Sequence, residues 1–278
     1  MDTLIFYFKN YPTVRYSTVV LALVSLSAAL LGVSLVLKRF SMIGDGLSHV
    51  AFGATSIATA ASFTPVYIAL PFTVVAAVLL LRIRSNTKIQ GDAAIAMISA
   101  GSLAFGYMIL NLFPSKSSSI SGDACSTLFG SASIIGIKRS DVLLCAILAT
   151  VVLFVFIFFY HKIFAVTFDE GFATSSGVKV RFYNFLIAAV SGVVIVLAMK
   201  LVGALLISSL IIFPALSAMR LFRSFRSVIL CSAVISVAGS LTGLILALLL
   251  STPTGASVAV VHIVIFAIFS ILGKLRRA

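Results

Sequence analysis

The sequence predicts an all-α fold, a polytopic transmembrane bundle of about eight or nine helices with one re-entrant or interfacial helix, and three observations carry the prediction. The 278 residues are 61% hydrophobic and only 10% charged, far below the roughly 25% charge of a soluble domain, and mean hydropathy is +1.23. Runs of about 20 residues almost free of charge recur along the chain, the length a helix needs to cross a hydrocarbon layer about 30 Å thick. Basic residues gather between those runs rather than within them.

Taken in order, the first span is expected near residues 17–37, uncharged until Lys38 and Arg39; Asp2 precedes it and no small-x-small cleavage site follows, so it is expected to stay in the mature protein. The second, 43–62, follows the turn-forming stretch Ser41 to Gly46. The third, 65–81, opens on Pro65 and stops at Arg82, and the fourth covers 91–112. Ile120 to Gly136 is shorter and holds Asp123 with several serines and glycines, which marks it as the re-entrant or interfacial helix. Five more spans are expected near 141–160, 182–199, 202–219, 227–250 and 256–273. No internal repeat and no soluble insert interrupts them, so residues 1–278 are expected to form a single transmembrane domain.

With the N-terminus outside, Lys38, Arg39, Arg82, Arg84, Lys88, Lys162, Lys179, Arg181, Arg220, Arg223, Arg226, Lys274, Arg276 and Arg277 fall inside, while Lys9, Arg15, Lys116, Lys138, Arg139 and Lys200 fall outside. The positive-inside rule therefore selects nine crossings with the C-terminus inside. Lys200, at a very tight outer turn, is the weak point and leaves an eight-span count open.

The net charge of +13 would suggest nucleic acid in a soluble protein; here it marks the cytoplasmic face and contact with anionic membrane lipid, and a nucleic-acid partner is excluded. Cys125, Cys145 and Cys231 are odd in number and widely separated, which signals neither a disulfide framework nor a thiolate metal site. No GxxxxGK[ST] loop, HExxH or GxSxG occurs, so the chain is not expected to be an enzyme or to hydrolyse nucleotide itself.

Two polar stretches stand out. In "SMIGDGLSHVAFG", Asp45 and His49 lie four residues apart, one helical turn, and so share a face. Singly they read as a helix cap and a buried histidine; together they can bind a divalent transition metal, and ionisable groups inside spans mark transport paths. The second stretch is "FDEGFATSSGVKV", residues 168 to 180, read as an amphipathic turn or short helix along the inner face, or as a solvated loop. Pro214 interrupts a third, apolar stretch and can bend its helix near the cytoplasmic mouth.

"KRFSMIGDGLSHVAFG", "FDEGFATSSGVKV", "AMKLVGALLISSLIIFPALSA" and "STPTGASVAVV" stand in the order and spacing of the membrane permease subunit of bacterial zinc/manganese/iron ABC importers, and the chain resembles that family, zinc-uptake permeases most. The resemblance implies a multi-pass protein of the bacterial inner membrane that works as a homodimer. It implies two cytoplasmic ATP-binding subunits and an extracytoplasmic metal-binding protein as partners, and transported zinc, manganese or iron rather than a permanent cofactor. It places Asp45 and His49 on the metal path, and Phe168, Asp169, Glu170, Gly171, Phe172 and Ala173 in the segment that couples to the ATPase. A secondary metal transporter driven by an ion gradient, and a membrane scaffold without transport, are the competing readings. His161 is expected at the solvated interface and His262 as a satisfied buried histidine, with His262 and Asp123 left open as further residues of the path.

Overall fold

A computed structural model describes residues 11–86, 91–113 and 137–276. Eleven helices occur among them: α1 (Pro12–Leu37), α2 (Ile43–Ala60), α3 (Pro65–Asn86), α4 (Gly91–Leu112), α5 (Arg139–Phe158), α6 (Tyr160–Phe168), α7 (Glu170–Ser175), α8 (Val180–Val202), α9 (Ala204–Leu221), α10 (Phe225–Leu250) and α11 (Thr254–Leu275). Each of the nine expected spans coincides with a helix. A backbone in lipid must satisfy its own N–H and C=O groups, and a helix does so within one segment. Ile120 to Gly136, with Asp123 and Cys125, lies outside the described residues.

By length and composition, seven of these helices can cross a membrane, fewer than the nine crossings expected. The two that fall short do so for visible reasons. α2 has only 18 residues and carries Asp45, His49 and several serines and threonines, and the apolar part of α3 shrinks to Tyr67–Leu80. Lys200 is resolved in favour of two separate helices: α8 ends at Val202, Gly203 alone makes the turn, and α9 starts at Ala204. Gly203 takes φ 98 and ψ 154, a region closed to residues with a Cβ.

α1 is the hub. Its apolar stretch is 72% buried, against 17% for α4 and 22% for α11, and it packs against α5, α8, α9 and α10. Lipid offers no hydrophobic drive between helices, so small residues that let backbones approach supply the packing. Gly32 does this for α1 and α9: a Cβ there would collide with the main-chain oxygen of Ile211. Gly53 lies likewise on Ser102 of α4, Gly192 on Val74 of α3 and Gly243 on Val258 of α11. Most hydroxyls in the spans, among them those of Ser17, Ser27, Ser56 and Ser191, donate to the carbonyl one turn back in their own helix. Ser236 of α10 instead donates to the Ser25 carbonyl of α1 at 2.9 Å. Pro214 is buried inside α9, and the helix continues through it to Leu221.

The turn from α1 to α2 adds what the charge pattern did not give. Arg39 takes a left-handed conformation (φ 61), and the amides of Arg39 and Phe40 bond to Val36 and Leu35 at 3.0 and 2.9 Å, a Schellman closure. Lys38, Phe40 and Ile43 are all buried. Lys38 is therefore a residue of the protein interior, whereas Arg39 beside it is exposed as the charge pattern anticipates.

Gly32→Leu is expected to abolish monodisperse protein in mild detergent, since the clash is with backbone. Gly101→Ala in α4, where a Cβ meets nothing within 4 Å, is expected to keep or raise the melting temperature by removing a helix-interior glycine worth about 1 kcal/mol. Size-exclusion profiles and thermal melts of the two variants check this.

Candidate functional site

Asp45 and His49 sit in the first two turns of α2. The Met42 N-cap makes no side-chain cap bond and Asp45 falls in the first turn, where its charge suits the positive end of the helix. Its Oδ2 lies 3.5 Å from His49 Nε2, with the two side chains 42% and 15% exposed respectively. Ser48, the residue before His49, donates its hydroxyl to the Asp45 carbonyl at 2.7 Å.

Neighbouring positions fix which way the pair faces. A Cβ on Gly44 would meet Ile211 Cδ1 at 2.9 Å and Ser208 Cα at 3.5 Å, and one on Gly46 would meet Ile95 Cγ2. α9 and α4 thus flank α2, and Leu47, Val50 and Ala54 are buried on its rear. The Asp45 and His49 face is the one left open. Depth follows from the same contacts: Gly32, Gly44 and Ile211 share a level, and Ile211 lies well inside α9, so the pair stands within the bundle although it opens its helix.

A carboxylate oxygen and an imidazole nitrogen this close offer two hard-to-borderline donors, half of a tetrahedral set. Among the described residues no group of three or more His, Cys, Asp or Glu forms. His161 is exposed and stacks edge-on against Tyr160. His262 is fully buried in α11, its Nδ1 2.8 Å from the Val258 carbonyl. It packs on Gly239 of α10. Cys145 and Cys231 are free thiols within helices.

The second stretch forms a helix. Asp169 is the N-cap of α7, its Oδ1 accepting the Phe172 amide at 2.9 Å, and Gly177 at φ 78 closes the far end, with its amide and that of Val178 bonded to Thr174 and Ala173. Ala173 is buried with Val166 and Tyr183 in a small core of their own. Phe168 and Phe172 project outward, 57% and 65% exposed. Tyr160, Phe164, Phe168 and Phe225 form an aromatic cluster beside them.

Sequence reading missed how this segment is held. Lys38 Nζ lies 3.0 Å from Glu170 Oε1 and donates to the Asn184 Oδ1, while Asn184 Nδ2 donates to the same Glu170 oxygen at 3.2 Å. A lysine directly after an apolar run was the available signal, but positive-inside anchoring explained it without a partner.

Comparison with known proteins agrees with this architecture. The chain is 28% identical over 242 residues to the High-affinity zinc uptake system membrane protein ZnuB of Haemophilus influenzae, covering 87% of this chain and 90% of that protein. It is 26% identical over 250 residues to the Manganese import system permease protein ScaB of Streptococcus gordonii, covering 90% and 87%. Among solved structures, PsaBC from Streptococcus pneumoniae in complex with Fab superposes with a TM-score of 0.81 at 25% identity, over 95% of this chain and 93% of that one. The model of the ABC 3 transport family matches residues 10–273, and with nearly the whole chain inside that match, this multi-pass membrane protein belongs to the ABC 3 transport family.

Proposed function

We propose that this protein is the membrane permease subunit of an ATP-binding-cassette importer for a divalent transition metal, zinc first. The observation that carries the reading is the Asp45 and His49 pair: two metal-competent donors 3.5 Å apart, on the open face of a helix deep in a membrane bundle of this family. Two donors hold an ion loosely enough to release it, which a closed four-ligand structural site does not. A second copy of the chain, facing the first across the open side of α2, would supply two more. Manganese is the second candidate ion, favoured by the ScaB relative, whose name gives it a manganese import role.

The working cycle we infer is alternating access. A metal-binding protein delivers the ion outside, ATP is hydrolysed by cytoplasmic partner subunits that dock on α7, and helices around the dimer axis open the path inward. The exposed Phe168 and Phe172 are the apolar contacts such a partner would cover, with Asp169, Gly171 and Ala173 shaping the helix that presents them and Glu170 tying it to the bundle. The whole chain acts as one transport domain with no nucleotide site of its own.

Metal accumulation, read by elemental analysis in cells lacking their own zinc importer, is expected only when this chain is supplied with its ATPase and binding protein. Asp45→Ala and His49→Ala in well-assembled complexes are each expected to lower it at least about tenfold, since even a neighbour of a metal ligand is worth that much. Accumulation from the single chain, or full accumulation in both variants, would overturn the reading. Phe168→Ser with Phe172→Ser is expected to remove the ATPase from a mild-detergent pull-down, because each buried phenylalanine stabilises an interface by about 1.5–3 kcal/mol; an undiminished pull-down would place the docking surface elsewhere.

A further inference from the structure

We infer that Lys38, Glu170 and Asn184 form the positioning link that carries movement of α7 to the turn bearing Asp45 and His49. The inference rests on the function proposed above and assigns residues to its coupling step. Lys38 is the C-cap of α1 and its side chain is 2% exposed, while that of Glu170 is 49% exposed. One end of the pair is thus locked in the bundle and the other lies on the surface helix.

Two properties make this a link rather than an ornament. A buried ammonium that loses its carboxylate loses its opposite charge and keeps neutral acceptors such as the Asn184 oxygen, so separating the pair costs more than keeping it. When α7 shifts, Lys38 therefore follows. From Lys38 the short turn is hydrogen-bonded at both ends: Lys38, Arg39 and Phe40 bond back to α1, Ile43 bonds to the Phe40 carbonyl at 3.2 Å, and Gly46 to that of Met42 at 3.0 Å. Phe40, wedged in the core at 2% exposure, removes slack from the turn. Displacement at Lys38 reaches Asp45 through this rigid stretch, and Asn184 at the base of α8 holds the third corner, so α7 cannot rotate away from Lys38 without also disturbing α8.

The test uses the complete complex, permease with ATPase subunits and metal-binding protein, reconstituted in liposomes, with zinc taken up per ATP hydrolysed as the readout. Glu170→Gln keeps an acceptor for Lys38 and a folded α7; Lys38→Met combined with Glu170→Gln leaves no stranded charge. Both are expected to lower zinc taken up per ATP hydrolysed roughly two- to thirtyfold, the span of coupling effects seen along such routes. A pair with a merely structural role would show the wild-type ratio in the double variant, since neither charge of the pair remains, and that result overturns the link. Glu170→Gln with an unchanged ratio overturns it as well. Wild-type complex that hydrolyses ATP but takes up no zinc or manganese would instead remove the proposed function, a failure visible before any variant is made.

Discussion

The close approach of α1 to α9 at Gly32 is the contact around which the bundle is arranged. In hydrocarbon, helices gain little from hiding apolar side chains, and association depends on how near two backbones can come. With only a hydrogen at Gly32, α1 rests on the Ile211 main chain, and this fixes the level of the α1 to α2 turn. Because α2 starts from that buried turn and is held by Gly44 against the same part of α9, its first polar residues stand within the bundle rather than at its edge. A polar pair at that depth is a consequence of where two glycines sit.

Much of this was legible in the residues. Nine apolar runs gave nine helices, because a lipid-embedded backbone has few other ways to satisfy its polar groups, and the small polar insert at Phe168 gave a short helix because Asp169 and Gly177 are a cap and a terminator by chemistry alone. Asp45 and His49 were found by spacing, since one turn brings i and i+4 together whatever surrounds the helix. Depth was not legible. Nothing in "KRFSMIGDG" says that Lys38 and Phe40 are buried while Arg39 is exposed, because that is decided by α9, far along the chain. A lysine after an apolar run looks the same whether it meets lipid headgroups or a carboxylate 132 positions away.

Two kinds of rigidity are combined around α7. Around Ala173, Val166 and Tyr183 the segment is held by packing, which tolerates small adjustments. At Lys38, Glu170 and Asn184 it is held by directed polar contacts that run from a buried ammonium to a half-exposed carboxylate, where geometry is stricter and loss of the carboxylate weakens the hold on the buried charge. The outward aromatic residues belong to neither set, which leaves them free to be covered by something else.

The buried ammonium of Lys38 also bears on how the chain is made. During synthesis α1 enters the membrane well before Glu170 and Asn184 have left the ribosome, so the C-terminal end of α1 cannot reach its final setting until the second half of the protein arrives. Until then Lys38 is best placed at the headgroup level, with its flexible stem reaching toward water. Final seating of the first two helices is accordingly a late event, set by contacts distant in sequence and slow to form, and the N-terminal part of the chain is not an independent unit that folds ahead of the rest.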